Sequence, residues 1–186
     1  MTALLRFEGV SLRRGGRQLF EDLDLELGPG DALQVTGPNG SGKSSLIRLA
    51  AGLLRPAAGT VACEAKAALA DEHLALDREL GLRQALAFWI DYYPLDLGLE
   101  IMGIEALSDV PVRLLSTGQA RKAALTRVVA SDAKIWLLDE PLNGLDADGA
   151  ERLRFVIESQ RRRGGAVLAA SHQPLGWNWR KLELGA

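Results

Sequence analysis

The amino-terminal third of the chain shows the alternation of polar and apolar residues that is typical of β-strands. Between residues 22 and 27 every second position is leucine, and the positions between are aspartate or glutamate. This period of two predicts a strand with one face in water. The preceding run 13–16 (Arg-Arg-Gly-Gly) predicts a hairpin turn. The apolar run Ala32–Thr36, which ends at Gly37, predicts a further strand.

After this β-rich start, helical and strand patterns alternate. Ser44–Ala51 has helical spacing, and Thr60–Cys63 and Ala67–Ala70 predict short strands. From Leu74 to Leu115 the pattern is helical, with Leu82–Ile90 as the best candidate. This middle stretch predicts a helical insert.

The carboxyl-terminal part predicts a parallel sheet. From Gly118 onward the order is helix, strand (Ile135–Leu138), helix (Ala147–Arg163) and strand (Ala166–Ala170). Because strand–helix–strand units cross over in a right-handed sense, we expect these strands to be parallel. The whole chain therefore predicts one mixed α/β domain.

Composition narrows the class of protein. The 186 residues are 47% hydrophobic and 25% charged, which is typical of a globular chain and not of a disordered one. A net charge of −2 argues against non-specific nucleic-acid binding, because no basic excess is present to displace counterions. No apolar run reaches the roughly 18 residues of a membrane span, no signal-peptide pattern begins the chain, and the single Cys63 suits a reducing compartment. We expect a soluble cytoplasmic protein with no nucleic-acid partner.

The strongest chemical signal is a phosphate-binding loop. Residues 37–44 match the pattern G-x-x-x-x-G-K-[ST] in full, and they read Gly37-Pro38-Asn39-Gly40-Ser41-Gly42-Lys43-Ser44. The loop follows a predicted strand and opens a predicted helix, so that backbone N–H groups and the helix amino terminus can face a phosphate. Lys43 is expected to reach the β- and γ-phosphates, and the Ser44 hydroxyl to bind Mg²⁺. The alternative is a glycine-rich turn with an exposed lysine.

Two acids close the strand predicted at Ile135–Leu138. In an open parallel sheet, ligands bind beyond the carboxyl ends of the strands, so Asp139 and Glu140 are expected close to the phosphates. Asp139 would hold Mg²⁺ in its outer shell, and Glu140 would orient and activate the attacking water. The alternative is that both acids only form a turn or cap a helix.

Four further segments follow the order of one known family. They read Leu115-Ser116-Thr117-Gly118-Gln119, Asp139-Glu140-Pro141, Asn143-Gly144-Leu145-Asp146 and Ser171-His172-Gln173. Together with the phosphate loop, over about residues 3–173, they resemble the signature, Walker B, D-loop and switch-histidine motifs of ATP-binding-cassette (ABC) ATPases. The resemblance implies an α/β P-loop NTPase with an antiparallel β lobe and a short helical lobe. It also implies a single ABC ATPase domain over residues 1–186, with the helical lobe inserted at about 74–117.

The same resemblance implies how a nucleotide is held. The implied cofactors are ATP and Mg²⁺, and the ATP-bound state is a homodimer in which Ser116–Gly118 of one chain face the phosphate loop of the other. The implied metal ligands are Ser44 and Asp139. The implied catalytic residues are Glu140, as general base, and His172, which senses the γ-phosphate; the alternative for His172 is a structural or merely exposed histidine. The implied nucleotide contacts are Gly37, Pro38, Asn39, Gly40, Ser41, Gly42, Lys43, Ser44, Ser45, Ser116, Thr117, Gly118, Gln119 and Asp146.

A narrower resemblance is to the ATP-binding subunits of cytochrome c maturation systems. It rests on residues 109–113 (Asp-Val-Pro-Val-Arg) before the signature, on His73 followed by Phe88-Trp89, on the short length and on the tail 171–173. It implies an ATP-hydrolysing subunit that drives haem export or delivery in c-type cytochrome biogenesis. Its partners would be integral membrane permease subunits, with two ATPase chains per complex, at the cytoplasmic face of the bacterial inner membrane. The chain contains no haem-binding pattern, so haem specificity would belong to the permease.

Three other functions stay open at this point. One is the ATPase of another small ABC exporter with a different cargo. Another is a soluble ABC ATPase that works on DNA or ribosomes, although such proteins usually have duplicated cassettes, coiled-coil inserts or basic arms, which this chain lacks. The third is a nucleotide-gated binding module without turnover, which the presence of Glu140 and His172 disfavours.

The chain departs from the ABC pattern at three places. Arg13 and Arg14 stand where the family commonly has an aromatic residue that stacks on adenine, so selectivity for adenine is expected to be weak. Leu74 follows His73 where the family has a glutamine that couples Mg²⁺ to the transmembrane contact. Thr117 replaces a glycine of the signature.

Four aromatic residues are concentrated within residues 88–93. Phe88 and Trp89 are expected to pack inward, because a small helical lobe needs a core of its own. Tyr92 and Tyr93 are expected to be partly exposed and to help seat the permease, since tyrosine suits interfaces.

Overall fold

Two sheets organise the chain. The computed structural model describes residues 2–89, 95–176 and 178–185. In chain order its strands are β1 (Leu5–Arg14), β2 (Arg17–Leu27), β3 (Ala32–Thr36), β4 (Ala58–Cys63), β5 (Ala67–Ala70), β6 (Ile135–Asp139), β7 (Ala166–Ala170) and β8 (Arg180–Glu183). Its helices are α1 (Lys43–Ala50), α2 (Leu82–Ala87), α3 (Leu95–Met102), α4 (Thr117–Val129) and α5 (Ala147–Arg162), with 3₁₀ turns at Glu105–Leu107 and Val112–Leu114.

The antiparallel β lobe forms where the sequence alternates. Its strand order is β2-β1-β4, and the first two strands are joined by a tight turn at residues 15–16, as predicted. Leu25 and Leu27 are buried, whereas Asp24 and Glu26 are exposed. The alternation therefore places one face on the core and the other in water.

The second sheet is parallel and carries the predicted α/β core. Its order is β5-β6-β7-β3-β8. Alternate residues of β6 enter two different cores: Trp136 and Leu138 pack with the helical lobe, and Ile135 and Leu137 pack with α1 and the β lobe. Because the strands are parallel, the carboxyl ends of β3, β6 and β7 meet at one edge, where the candidate chemistry lies.

The helical lobe contains less helix than the pattern predicts. Residues 74–81 form no helix, and α2 ends at Ala87, while the end of the predicted helix at Ile90 lies outside the described residues. Phe88, the residue after α2, is 83% exposed. The expectation that Phe88 and Trp89 pack inward is wrong for Phe88, because the chain turns there, and Trp89 is also 37% exposed. The predicted positions of Tyr92 and Tyr93 also lie outside the described residues.

A strand that the pattern does not predict extends the parallel sheet. β8 lies beside β3, and the Leu184 N–H donates to the Thr36 carbonyl at 2.9 Å. Its alternation is only a few residues long and mostly charged, so the pairing depends on contact with β3 rather than on local propensity. It brings Leu184 against the phosphate loop. Among the described helices, none has both the length and the apolar character to cross a membrane.

Candidate active site

The phosphate loop runs from the end of β3 to the start of α1. Gly37 has a φ of +134°, and a Cβ there would lie 2.2 Å from the Leu184 carbonyl oxygen, so glycine is required. Lys43, the first residue of α1, is buried. Its Nζ donates hydrogen bonds to the carbonyls of Gly37 (2.8 Å) and Pro38 (3.0 Å), which holds the ammonium group against the loop. The middle of the loop, residues 38–40, is exposed.

The other predicted loop residues pack against neighbouring segments. Ser41 and Ser45 are buried. Gly42 caps α1, and a Cβ there would lie 3.2 Å from the ring of Phe20. Arg14 is exposed and donates to the Ser45 hydroxyl at 3.4 Å. An arginine therefore lies over the start of α1, where the family commonly has the aromatic ring that stacks on adenine. Weak selectivity for adenine over other nucleotide bases stays a prediction.

Ser44 and Asp139 meet beside the phosphate loop. Ser44 is exposed, and its hydroxyl donates to the Asp139 carboxylate. Burial is the main cause that raises the pKa of Asp139; the Ser44 hydrogen bond and the charges of Arg48 and Arg121 oppose this rise, and the charge of Asp71 adds to it.

This pair of oxygen donors fits Mg²⁺. Among the described residues, no three Asp, Glu, His or Cys side chains gather to hold a metal by themselves. Mg²⁺ commonly takes only one or two protein oxygens and completes its shell with water and substrate phosphates. A hydroxyl and a carboxylate beside a phosphate loop match this coordination preference.

Glu140 and His172 lie next to each other at the ends of two neighbouring strands. The Glu140 Oε1 lies 3.3 Å from the His172 Nε2. Glu140 has a φ of +46°, which is unusual for a residue other than glycine. Its N–H donates to the Ala170 carbonyl at 2.8 Å, and its own carbonyl accepts from the Asn143 N–H at 3.1 Å. Such strained positions concentrate at functional sites, where surrounding bonds hold them.

Gln34 holds the turn that carries His172, and sequence analysis does not single it out. It is buried in β3, and its Nε2 donates to the carbonyls of Ser171 (2.9 Å) and Gln173 (3.0 Å). The Ser171 hydroxyl donates to the Gln173 carbonyl and accepts from its N–H. These bonds fix the backbone on both sides of His172. A glutamine inside an otherwise apolar strand is the one sequence signal for this role.

The signature segment forms the exposed start of α4. The Ser116 hydroxyl accepts from the Gln119 N–H at 3.3 Å, and the Gln119 Oε1 accepts from the Ser116 N–H at 2.8 Å; this is a capping box. A Cβ at Gly118 would lie 2.8 Å from the Gly144 carbonyl, so the helix start packs directly on the D-loop. Thr117 lines the cleft beside the phosphate loop. An exposed helix start can bind an anion, and its contact with a nucleotide on a second chain stays a prediction.

Within the described chain, the Asp146 side chain makes contacts that stabilise the fold. Its Oδ1 accepts from the Gly149 N–H at 2.8 Å and so caps α5, and it lies 3.1 Å from the Lys122 Nζ. The Gly149 hydrogen bond, followed by Lys122, lowers the pKa of Asp146. These bonds do not test whether Asp146 contacts a nucleotide, and that contact stays a prediction.

Arg121 connects the signature helix to the ends of two strands, and sequence analysis does not single it out. It lies on α4, and its two terminal nitrogens donate to the carbonyls of Asp71 (2.6 Å) and Asp139 (2.5 Å). Burial lowers the pKa of this guanidinium, and the nearby charges of Asp139, Asp71 and Glu140 oppose the effect. A movement of α4 would therefore act directly on the strand end that carries Asp139 and Glu140.

Comparison with known proteins places these motifs in one family. The family model described as ABC transporter matches residues 20–143. The cytochrome c biogenesis ATP-binding export protein CcmA of Sphingopyxis alaskensis is 56% identical over 177 residues, which cover 92% of this chain and 91% of that protein. Proteins of the same name from Novosphingobium aromaticivorans (54% identical; 89% and 87% covered) and Pseudomonas putida (37% identical; 100% and 98% covered) also match.

Solved structures confirm the fold class. The ATP-binding subunit of an ABC transporter superimposes with a TM-score of 0.86 at 20% identity, and covers 97% of this chain and 85% of its own. An ATP-binding cassette of an ABC transporter in its ADP conformation gives 0.77 at 21% identity, with 99% and 88% covered. At these identities the likeness concerns the fold alone. That fold is the predicted α/β core with an antiparallel lobe.

Proposed function

Because this chain belongs to the ABC transporter family and, within it, to the CcmA group of ATP-binding subunits, we propose that it hydrolyses ATP to drive an export complex of cytochrome c biogenesis. One observation carries the proposal, which is the convergence of five side chains at the carboxyl edge of the parallel sheet. They are Lys43, Ser44, Asp139, Glu140 and His172. This set supplies a lysine that can bind the phosphates, two oxygen ligands for a metal, and a carboxylate that can activate water.

The loop and its neighbours bind the triphosphate. Backbone N–H groups of residues 39–44 and the amino end of α1 would face the phosphates. Lys43 exchanges its two carbonyl partners for the β- and γ-phosphates. Ser44 and Asp139 would hold Mg²⁺, which would neutralise negative charge on the phosphates. These contacts position the γ-phosphate without any covalent intermediate on the protein.

Glu140 and His172 act on the attacking water and the γ-phosphate. Glu140 accepts a proton from the water as the water oxygen attacks the γ-phosphorus. The bond between that phosphorus and the ADP oxygen breaks. His172, held by Gln34 through its flanking carbonyls, contacts the γ-phosphate and keeps the Glu140 carboxylate in place at 3.3 Å. The products are ADP and inorganic phosphate.

The names of the relatives support the proposed complex. Their names assign export and cytochrome c biogenesis to them, and we carry both over to this chain, with haem as the cargo that cytochrome c maturation requires. Two copies of the chain bind two ATP molecules between them and attach to integral membrane permease subunits at the cytoplasmic face of the inner membrane. The alternatives are a small exporter of another cargo and an ABC ATPase without a permease.

Deletion and complementation test this function. In a bacterium that depends on this chain, deletion is expected to abolish haem-staining c-type cytochromes, and the unchanged chain is expected to restore them. Lys43→Ala should fail to restore them, because it removes the phosphate clamp at a cost of roughly 10²–10³-fold in turnover. The matched control is Lys134→Ala, an exposed lysine just before β6 at the opposite edge of the sheet, which should restore them fully. Normal cytochromes in the deletion strain would contradict the proposal and favour another cargo.

A groove beside the helical lobe is the site that we propose for the permease. Its rim carries two exposed apolar side chains, Leu53 (62% exposed) and Phe88 (83% exposed). Phe88 packs edge-to-face on Trp89 at 5.2 Å, and Trp89 lies under the Arg127 guanidinium at 4.6 Å. The groove has a volume of about 330 Å³. It fits a short permease segment that presents an apolar side chain to the rim and an acidic or carbonyl oxygen to Arg127.

Replacement of the exposed ring tests this site. Phe88→Ala is expected to weaken recovery of the chain with its permease about tenfold or more, since exposed aromatic anchors dominate interfaces. Basal ATPase activity and folding should not change, because the ring contributes little to the core. Phe155→Ala is the control, as this ring is 71% exposed on α5, outside the groove. Equal recovery of both variants would place the permease elsewhere.

A further inference from the structure

Asp71 is a buried carboxylate that the proposed reaction does not use. It directly follows β5 and is 8% exposed. Buried carboxylates are rare unless neighbouring groups compensate their charge. Its Oδ1 accepts from the His73 N–H at 3.0 Å, and its Oδ2 lies 3.2 Å from the His73 Nδ1 and 3.7 Å from the Arg48 guanidinium. The side chain is therefore held in one orientation.

Strand register places Asp71 beside Asp139. In the parallel pair β5–β6, Ala70 is level with Leu138. Asp71 follows β5 directly, and Asp139 is the last residue of β6. Because neighbouring strands lie about 4.8 Å apart, the two carboxylates come close to each other where the strands end.

Both carboxylates open into the cleft that also receives Ser44. This cleft has a volume of about 380 Å³. Arg121 lies beside the pair, but its terminal nitrogens donate to the two main-chain carbonyls and not to the carboxylates. Two adjacent carboxylates repel each other, and a hydrated divalent cation in the cleft would relieve that repulsion.

We propose that Asp71 is a second carboxylate on the metal side of the site, and that it accepts hydrogen bonds from water bound to the Mg²⁺ that Ser44 and Asp139 hold. This assignment rests on the proposed function. The family resemblance implies a glutamine that couples to Mg²⁺ at position 74, where this chain has Leu74. Asp71 supplies an oxygen from the same segment, so that the connection between the metal and the chain after β5 is kept by a different residue.

Metal affinity tests the assignment without reliance on turnover. All variants carry Glu140→Gln, so that ATP is bound and not consumed, and Mn²⁺ binding in the presence of ATP is measured by electron paramagnetic resonance. Asp71→Asn keeps the shape and the hydrogen bond from the His73 N–H. It is expected to weaken Mn²⁺ binding by roughly 10- to 100-fold, the usual effect of removing an outer-shell partner. ATP binding without metal should be unchanged.

Asp77→Asn is the matched control. Asp77 lies in the same segment after β5, but it is exposed and does not line the cleft, so its loss should change Mn²⁺ affinity less than twofold. Asp71→Ala is measured as a second variant, and weakened Mn²⁺ binding in whichever Asp71 variant folds supports the assignment. Unchanged Mn²⁺ affinity in that variant, with ATP bound, overturns the Asp71 assignment alone. If the unchanged chain binds no ATP, the proposed function and the Asp71 assignment both fall.

Discussion

Glu140→Gln is expected to lower ATP turnover by roughly 10²–10⁴-fold, because the amide cannot accept a proton from the attacking water. Glutamine keeps the length of the side chain, and the Ala170 carbonyl that holds the strained backbone is still in place. Nucleotide binding should therefore be retained. Phosphate release measures the loss of turnover. Size-exclusion chromatography with Mg²⁺ and ATP should show accumulated dimer, because hydrolysis no longer relieves closure.

The control for this variant is a glutamate outside the site. Glu151 is exposed on α5, and Glu151→Gln should hydrolyse ATP at the normal rate. Phosphate release within a few fold of normal in Glu140→Gln would remove Glu140 from the role of base. If Glu140→Gln fails to bind ATP, the result would instead show that Glu140 is needed for the structure of the loop.

Sequence patterns predict the core strands well, because these strands are short apolar runs bounded by polar residues or glycine. β3, β5 and β7 begin and end at the predicted residues Ala32–Thr36, Ala67–Ala70 and Ala166–Ala170. The motif residues Asp139, Glu140 and His172 lie at or after the ends of β6 and β7, since a motif fixes both the residue and its position relative to a strand, and their roles stay predictions. Glu140 and His172 meet at 3.3 Å although 32 positions separate them in the numbering.

The residues that sequence reasoning misses act through tertiary contacts. Gln34 and Arg121 are buried or partly buried polar groups whose partners come from distant segments, and Asp71 pairs with Arg48 of α1. Local pattern marks such a residue at most as a polar position in an apolar run, as at Gln34, because the distant partner becomes a neighbour only after the sheet is assembled. Sequence patterns miss β8 for the same reason, because its charged sequence forms a strand only beside β3. The exposed ring of Phe88 depends on where α2 stops, which is a boundary that periodicity locates poorly.

A mixture of two inactive variants is expected to recover activity if the signature of one chain completes the site of the other. Lys43→Ala removes the phosphate clamp, and Ser116→Arg places a bulky side chain at the exposed start of α4. Each variant alone should lose roughly 10²–10³-fold in turnover, because both sites of its symmetric dimer are defective. In a mixed dimer, one site carries both changes and the other carries none. Equal mixing should then restore about a quarter of the activity of the unchanged chain, since random pairing leaves that share of sites intact.

The matched control is a mixture of Lys43→Ala with Glu140→Gln. Lys43 and Glu140 lie on the same side of one site, at the carboxyl edge of one sheet, so every site in that mixture keeps a defect and no recovery is expected. Loss of the Ser116 cap costs about 1 kcal/mol, and a thermal melt of Ser116→Arg checks that the chain is still folded. Recovery in the first mixture and not in the second assigns Ser116–Gly118 to the nucleotide of the partner. No recovery in either mixture, with all variants folded and dimers present, would assign the exposed start of α4 to a site within its own chain.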